Sequence, residues 1–255
     1  MIREAILREK KKNKIAVIIY TILGYPNVDL SLRALEILKK YNITIYETAV
    51  PISSGYSPDL SKVIKIAHKK AYQNGISPKD VVETFSFYRP NLYIIHEGTP
   101  SYMLDFLVKK NEKIDGILIG LNKKETKRYY EDFMSQNIEV VQEISLKLKK
   151  EEIRERVKLA QGFVYLTIAE RTGGSRYPLR KIERMINTVK EIREDILICC
   201  GFGIKDPQDI TEVGSLEGCD GIIIGTAALD SLSGGLTQFN SYINAVGDAA
   251  MKIRK

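Results

Sequence analysis

From Asp195 to Leu229 the chain repeats one unit: a short apolar run, a glycine turn, a helical stretch, a second apolar run and a second glycine turn. Ile196-Leu197-Ile198-Cys199-Cys200 is continuously apolar rather than alternating, as expected of a parallel strand covered on both faces, and it breaks at Gly201-Phe202-Gly203. Gly221-Ile222-Ile223-Ile224 breaks in the same way at Gly225-Thr226-Ala227. The two runs start about 25 residues apart with a helix between them, which is one βα repeat. Glycines directly after a strand let backbone N–H groups approach an anion without a Cβ in the way, and the next helix adds its positive dipole end. Paired turns of this kind after the last two strands of a (β/α)8 barrel form a common phosphate site. Tight βα turns with no ligand are the alternative.

The rest of the chain is written in the same unit. Apolar runs predict strands at 16–23, 43–48, 92–96, 116–119, 138–142 and 163–167, ahead of the two just described. Helical spacing predicts helices at 29–41, 62–74, 78–87, 101–110, 123–136, 149–160 and 178–191. Strict alternation without a linker or low-complexity tract indicates α/β architecture, and eight strands favour a closed (β/α)8 barrel, one domain over residues 1–255. A length of 255 residues with 44% apolar composition suits that fold. The charged amphipathic stretch 1–13, with Ile2, Ala5 and Ile6 on one side, predicts an extra N-terminal helix that plugs the barrel floor.

Charge and cysteine content narrow the function classes. The net charge of +7 is spread over Lys pairs on many predicted helices, which fits solvated outer faces and a field that attracts a phosphorylated substrate. A nucleic-acid footprint would be one dense stripe with stacking aromatics, so nucleic acid is not the expected partner. No apolar run approaches the roughly 20 residues of a membrane span, and the N-terminus lacks the apolar core of a secretory signal; a soluble, cytoplasmic protein is expected. Cys199, Cys200 and Cys219 lie in or beside predicted strands and read as small core residues. With His68 and His96 the only histidines, no metal centre is expected.

Several residues carry candidate chemistry. Glu47 stands near the C-terminal end of the second predicted strand among Ile45, Tyr46, Ala49 and Val50. A carboxylate there is costly to bury unless paired or protonated, barrel active sites are built from strand C-termini, and a raised pKa suits acid/base work. A structural Glu tied to a lysine or to backbone donors is the other reading. Thr172-Gly173-Gly174-Ser175, flanked by Arg171 and Arg176, is a third glycine turn, so turns after three consecutive strands can converge on one phosphate. Tyr165 either lines a pocket or fills the barrel, and His96 ends a strand as a proton carrier or a core residue. His68, mid-helix among lysines, is expected to be exposed. The long Ser-, Gly- and Pro-containing loop 49–61 marks a functional loop.

Taken together these segments resemble the tryptophan synthase alpha chain family, a barrel that cleaves indole-3-glycerol phosphate to indole and glyceraldehyde 3-phosphate. Tyr20-Thr21-Ile22-Leu23-Gly24-Tyr25-Pro26 looks like its first strand and loop, and Glu47-Thr48-Ala49-Val50-Pro51-Ile52-Ser53 like its E-L-G-V-P-F-S signature. Asp115-Gly116-Ile117-Leu118-Ile119, Phe163-Val164-Tyr165-Leu166, Gly173-Gly174, Gly201-Phe202-Gly203-Ile204 and Asp220-Gly221 through Ala227 match further family segments. The resemblance implies Glu47 as acid/base, Tyr165 as a pocket residue, Gly173, Gly174, Gly203, Gly225 and Thr226 as the phosphate and substrate contacts, and no cofactor. Asp59 corresponds loosely to the Asp that binds the ring nitrogen.

The departures sit at one end. The family's S-D-P-L-A-D-G-P loop reads Ser53-Ser54-Gly55-Tyr56-Ser57-Pro58-Asp59-Leu60-Ser61 here, its M-x-Y-x-N reads Ile94-Ile95-His96-Glu97-Gly98, and its D-x-P reads Leu121-Asn122-Lys123. The phosphate end and Glu47 are kept, while the ring end and the surface that docks the family's beta subunit have drifted, which implies a weakened association with such a subunit. Retro-aldol cleavage of indole-3-glycerol phosphate is the activity implied. A lyase or isomerase acting on another phosphorylated substrate, or a non-catalytic barrel subunit, are the alternatives.

Overall fold

A computed structural model describes the chain apart from Asn42, Glu97, residues 120–123 and Lys255, and apart from the side chains of residues 124–128. The strands are β1 (Ala16–Tyr20), β2 (Ile45–Thr48), β3 (Asn91–Ile95), β4 (Gly116–Ile119), β5 (Glu139–Ile144), β6 (Val164–Thr167), β7 (Ile198–Gly201) and β8 (Gly221–Ile224). They close into a parallel barrel in sequence order, with β1 pairing β8 through Ala16↔Gly221 to Ile19↔Ile224. The expected β1 is longer than the observed one: the run stays apolar to Leu23, but Gly24, at φ +88, already belongs to the turn. The departure at Leu121-Asn122-Lys123 lies outside the described residues.

Alternation along each strand builds two apolar layers. Ala16, Ile18, Ile45, Leu92, Leu118, Val141, Phe163, Tyr165, Leu197, Cys199 and Ile223 fill the barrel interior. Their neighbours, such as Ile19, Tyr46, Val140, Leu166 and Ile222, pack outward beneath the helices. The helix α1 (Ile2–Lys11) closes the floor as its pattern predicts, with Ile2 and Ile6 fully buried among the interior residues. Gly116 and Gly162 make room for it, since a Cβ on either would lie within 3.2 Å of Ile2. The Asp-Gly pairs that open β4 and β8 also brace this end. Asp115 accepts from the Asn91 backbone N–H and pairs with Arg89, and Asp220 accepts from the Ile198 backbone N–H and pairs with Lys10. With the floor sealed, the interior opens only toward the C-terminal ends of the strands, where barrel chemistry is placed.

The outer helices that matter for the site are α3 (Lys62–Gln73), capped by the Ser61 side chain, α9 (Pro207–Gly214), α10 (Thr226–Ser233), which starts directly after β8, and α11 (Leu236–Met251). Among the described residues no helix is long and apolar enough to cross a membrane.

Candidate active site

One step up each strand from the apolar interior, the inward positions become Tyr20, Glu47, Ile94, Glu143, Thr167, Gly201 and, beyond β8, Gly225. Most of these residues line a cavity of about 780 Å³ at the barrel mouth, together with Asp59, His96, Tyr165, Gly173, Gly203 and Thr226. The cavity is of the size that holds a small ligand. Gly174 faces the neighbouring depression of about 490 Å³, which it shares with Arg171, Ser175 and Tyr177, and Asp59 and Lys147 border both.

Glu47 is the carboxyl group buried at the base of this cavity. Only 2% of it is exposed, and its carboxylate has no hydrogen-bond or ion-pair partner among the described residues. Desolvation raises its pKa to about 8. Tyr165, at the next level of the barrel, has its own hydroxyl pushed up by burial and by the fields of Glu47 and Glu143. Glu47 is thus placed to hold or release a proton near neutrality, the property required of an acid/base.

The rim from β6 to β8 is walled by backbone. Gly203 takes φ +77, and a Cβ there would come within 2.8 Å of the Arg176 backbone nitrogen, so this position requires glycine. Phe202 before it also lies in the left-handed region, at φ +68, a conformation that costs about 1–3 kcal/mol for a residue with a side chain. Its ring meets Tyr165 edge-on with centroids 5.8 Å apart, which covers the cavity wall while the backbone turns. Gly225 caps α10, and Thr226, its first residue, approaches the Ser61 hydroxyl at 3.2 Å. Gly173, at φ +68, packs against Thr226, its virtual Cβ falling 3.0 Å from the threonine methyl. Arg176 is not free to meet an anion, because it pairs with Asp209 and Glu212 of α9.

The opposite rim, from β1 to β3, is walled by side chains. His68, expected on the surface, is fully buried: α3 turns it inward beneath the loop after β2, and its lysine neighbours occupy the other face. The Ile52 backbone N–H donates to His68 Nδ1 at 3.3 Å. The Tyr20 hydroxyl lies 3.1 Å from His68 Nε2 and 3.3 Å from His96 Nε2. Desolvation lowers the pKa of His68 to about 2, helped by His96, and that of His96 to about 4, so both rings are neutral at pH 7. The two loops that depart from the family pattern touch here. Gly98 has space only for hydrogen, since a Cβ would lie 2.5 Å from the Gly55 carbonyl oxygen, and Gly55 itself takes φ +74.

Asp59, at the mouth, is half exposed and forms an ion pair with Lys147 at 2.7 Å, while its carbonyl accepts from the Thr172 N–H. Glu143 is the functional candidate that composition alone does not single out. Burial raises its pKa, Arg156 opposes the shift, and the Arg156 guanidinium donates to its carbonyl oxygen. Its signal is register: in Glu139-Val140-Val141-Gln142-Glu143-Ile144 it falls on the same face as Val141 and pairs with Tyr165 of β6. Among the described residues no group of His, Cys, Asp and Glu is arranged to hold a metal ion.

The family model for the tryptophan synthase alpha chain matches residues 6–252. The chain belongs to the tryptophan synthase alpha chain family. It is 26% identical over 242 residues to the tryptophan synthase alpha chain of Prochlorococcus marinus, covering 90% of this chain and 88% of that one. It is 29% identical over 227 residues to that of Campylobacter jejuni subsp. doylei, covering 83% and 86%. Among solved structures, the tryptophan synthase alpha chain of Legionella pneumophila superposes with a TM-score of 0.83 at 18% identity, covering 99% of this chain and 97% of that one. A chain of aminoacrylate-bound tryptophan synthase from M. tuberculosis gives 0.81 at 18% identity and covers 98% of each. At such identities the structural likeness speaks for the shared barrel, and the family assignment rests on the sequence match.

Proposed function

We propose that this chain is a carbon–carbon lyase that performs retro-aldol cleavage of a triose phosphate joined to a ring, indole-3-glycerol phosphate being the reference substrate. The observation that carries this reading is an unpartnered, buried Glu47, raised to about 8, in the same cavity as the glycine turns. The phosphate is taken by backbone N–H groups at Gly203, Gly225 and Thr226, with the start of α10 adding its dipole. Gly173 shapes that wall, and Gly174 contributes through the turn it shares with Gly173. Glu47 removes the proton from the glycerol hydroxyl next to the scissile bond and delivers a proton to the ring carbon. The C–C bond breaks, its electron pair returns to the ring, and the hydroxyl carbon becomes the aldehyde of glyceraldehyde 3-phosphate. Tyr165 packs beside the reacting carbons. Asp59 receives the ring N–H at the mouth, and no cofactor takes part.

Association with a tryptophan synthase beta subunit is proposed to be weak. The loop that would dock it carries Ser54-Gly55 and is packed onto Gly98. Two measurements test the proposal: calorimetric binding of glyceraldehyde 3-phosphate, and turnover of indole-3-glycerol phosphate by the parent and by Glu47→Gln. Binding with Glu47-dependent turnover supports it. Binding without turnover favours another phosphorylated substrate, and no binding favours the non-catalytic barrel.

A further inference from the structure

The Tyr20, His68 and His96 chain has a proton polarity that its geometry fixes. A backbone N–H can only donate, so His68 Nδ1, 3.3 Å from Ile52 N, must be the bare nitrogen of that ring. A neutral imidazole carries its one proton on the other nitrogen, so His68 Nε2–H points along the 3.1 Å contact to the Tyr20 oxygen. Tyr20 is buried, and its own O–H needs an acceptor. Among the described residues the one acceptor left within its reach is His96 Nε2 at 3.3 Å. His96 Nε2 therefore accepts, and its proton sits on Nδ1.

Three further contacts hold the chain in place. The His68 and His96 rings meet edge to face with centroids 4.7 Å apart, and the Tyr56 ring lies 5.9 Å from His68. The Tyr56 hydroxyl donates to the Ile52 carbonyl at 2.7 Å, which steadies the residue whose N–H starts the relay. His96 itself is only partly buried and lines the cavity, and its Nδ1 has no partner among the described residues.

We propose that His96 meets the substrate as a hydrogen-bond donor through Nδ1–H, with Tyr20 and His68 as positioning residues that lock this tautomer. The cavity therefore selects a substrate whose half remote from the phosphate carries a hydrogen-bond acceptor, such as a ring carbonyl or ether oxygen. This inference rests on the reading of the cavity as the substrate site. It replaces an unsubstituted aromatic ring with an oxygen-bearing one as the preferred occupant.

Long-range proton–nitrogen NMR of the full chain labelled with ¹⁵N-histidine tests the first half directly, because the protein has two histidines and each is assigned by one variant. Expected are the Nδ1–H tautomer at His96, the Nε2–H tautomer at His68, and release of His96 to a tautomer mixture in Tyr20→Phe. An Nε2–H tautomer at His96 in the parent, or an unchanged His96 in Tyr20→Phe, overturns the inference. The second half is read by titrating oxindole and indole in saturating inorganic phosphate. One net hydrogen bond corresponds to roughly three- to tenfold tighter binding of oxindole. His96→Asn, whose amide nitrogen falls near the Nδ1 position, keeps that preference, and His96→Gln, whose polar atoms fall near Nε2, loses it. Equal affinities, or no oxindole binding, overturn the selection. Failure of phosphate binding at the glycine turns overturns the lyase reading and leaves the tautomer assignment standing.

Discussion

At the β6 to β8 rim the cavity is walled by backbone, whereas at the β1 to β3 rim it is walled by side chains that hold one another in place. Gly203 and Gly225 contribute by lacking a Cβ, and nothing about their role depends on a rotamer. Tyr20, His68 and His96 contribute through hydrogen bonds of 3.1 and 3.3 Å between groups brought from β1, α3 and the end of β3. A backbone site is encoded locally, as a glycine at the end of a strand. A side-chain network is encoded at three distant positions and needs all of them. The first kind tolerates drift elsewhere in the chain, whereas the second is kept or lost as a unit.

Glu47 stands on β2, within the side-chain rim, and its replacement is the largest expected effect. Glu47→Gln keeps shape but removes proton transfer, so turnover should fall by about 10²–10⁴-fold while glyceraldehyde 3-phosphate binding stays within twofold or so. A parent rate in the Gln variant would place the acid/base on another cavity residue, with Glu143 of β5 and His96 at the end of β3 the groups to examine next.

The backbone rim is broken most cleanly at Gly225, not at Gly203. A Cβ at Gly203 collides with the Arg176 backbone and adopts a positive φ, so Gly203→Ala loses stability along with binding, by about 1–3 kcal/mol. At Gly225 a Cβ would meet Tyr20 at an ordinary 3.5 Å, and φ is −113°. Gly225→Ala should therefore melt near the parent temperature and yet lose phosphate binding by about tenfold, the 1.4 kcal/mol or so that one decade represents. Retained binding in this variant would remove the backbone rim from the phosphate site.

These two rims also differ in how far the sequence discloses them. The repeat at 195–229, the strand count and the plug formed by Ile2 and Ile6 are readable because periodicity and glycine punctuation are local signals, and the structure reproduces them. Glu47 is conspicuous because it interrupts an apolar strand. His68 is misplaced by sequence reasoning because Lys-rich surroundings describe the outer face of α3, while one helical position turned inward is decided by tertiary packing. Glu143 is hidden in a strand whose alternation is blurred by Gln142, and Arg176 is drawn into ion pairs with Asp209 and Glu212, which are distant in sequence. Pairings across the barrel are the part that local pattern cannot supply.

The opposing pKa shifts at Glu47 and the histidines give a stability profile that separates the carboxyl from the imidazoles by pH. Glu47 titrates near 8 when folded against 4.5 in the unfolded chain, so its contribution is complete below about 4.5 and is lost as pH rises toward 8. His68 and His96 are lowered from 6.5 to about 2 and about 4, so their contribution is complete above about 6.5 and is lost as pH falls. Urea unfolding across pH 4–9 should show stability falling at both ends. Glu47→Gln should remove the alkaline fall by a few kcal/mol and leave the acid fall in place. An unchanged alkaline limb would mean that the Glu47 carboxylate is already ionised in the folded protein.

The smallest effect is expected at the mouth, where both rims are solvated. Lys147 and Asp59 are each about 53% exposed, and a pair this open is worth about 0–1 kcal/mol. Lys147→Ala should therefore leave stability unchanged within that margin while releasing Asp59 for the ring nitrogen. Asp59→Asn, which keeps size but removes the charge, should lower kcat/KM on indole-3-glycerol phosphate by less than tenfold, since a water-exposed carboxylate stabilises developing charge far less than a buried one. The double variant then decides whether the pair acts on the substrate at all. If Lys147→Ala raises kcat/KM and Asp59→Asn cancels the gain, the carboxylate works on the ring. If the three variants match the parent, recognition of the remote half passes wholly to the side-chain rim.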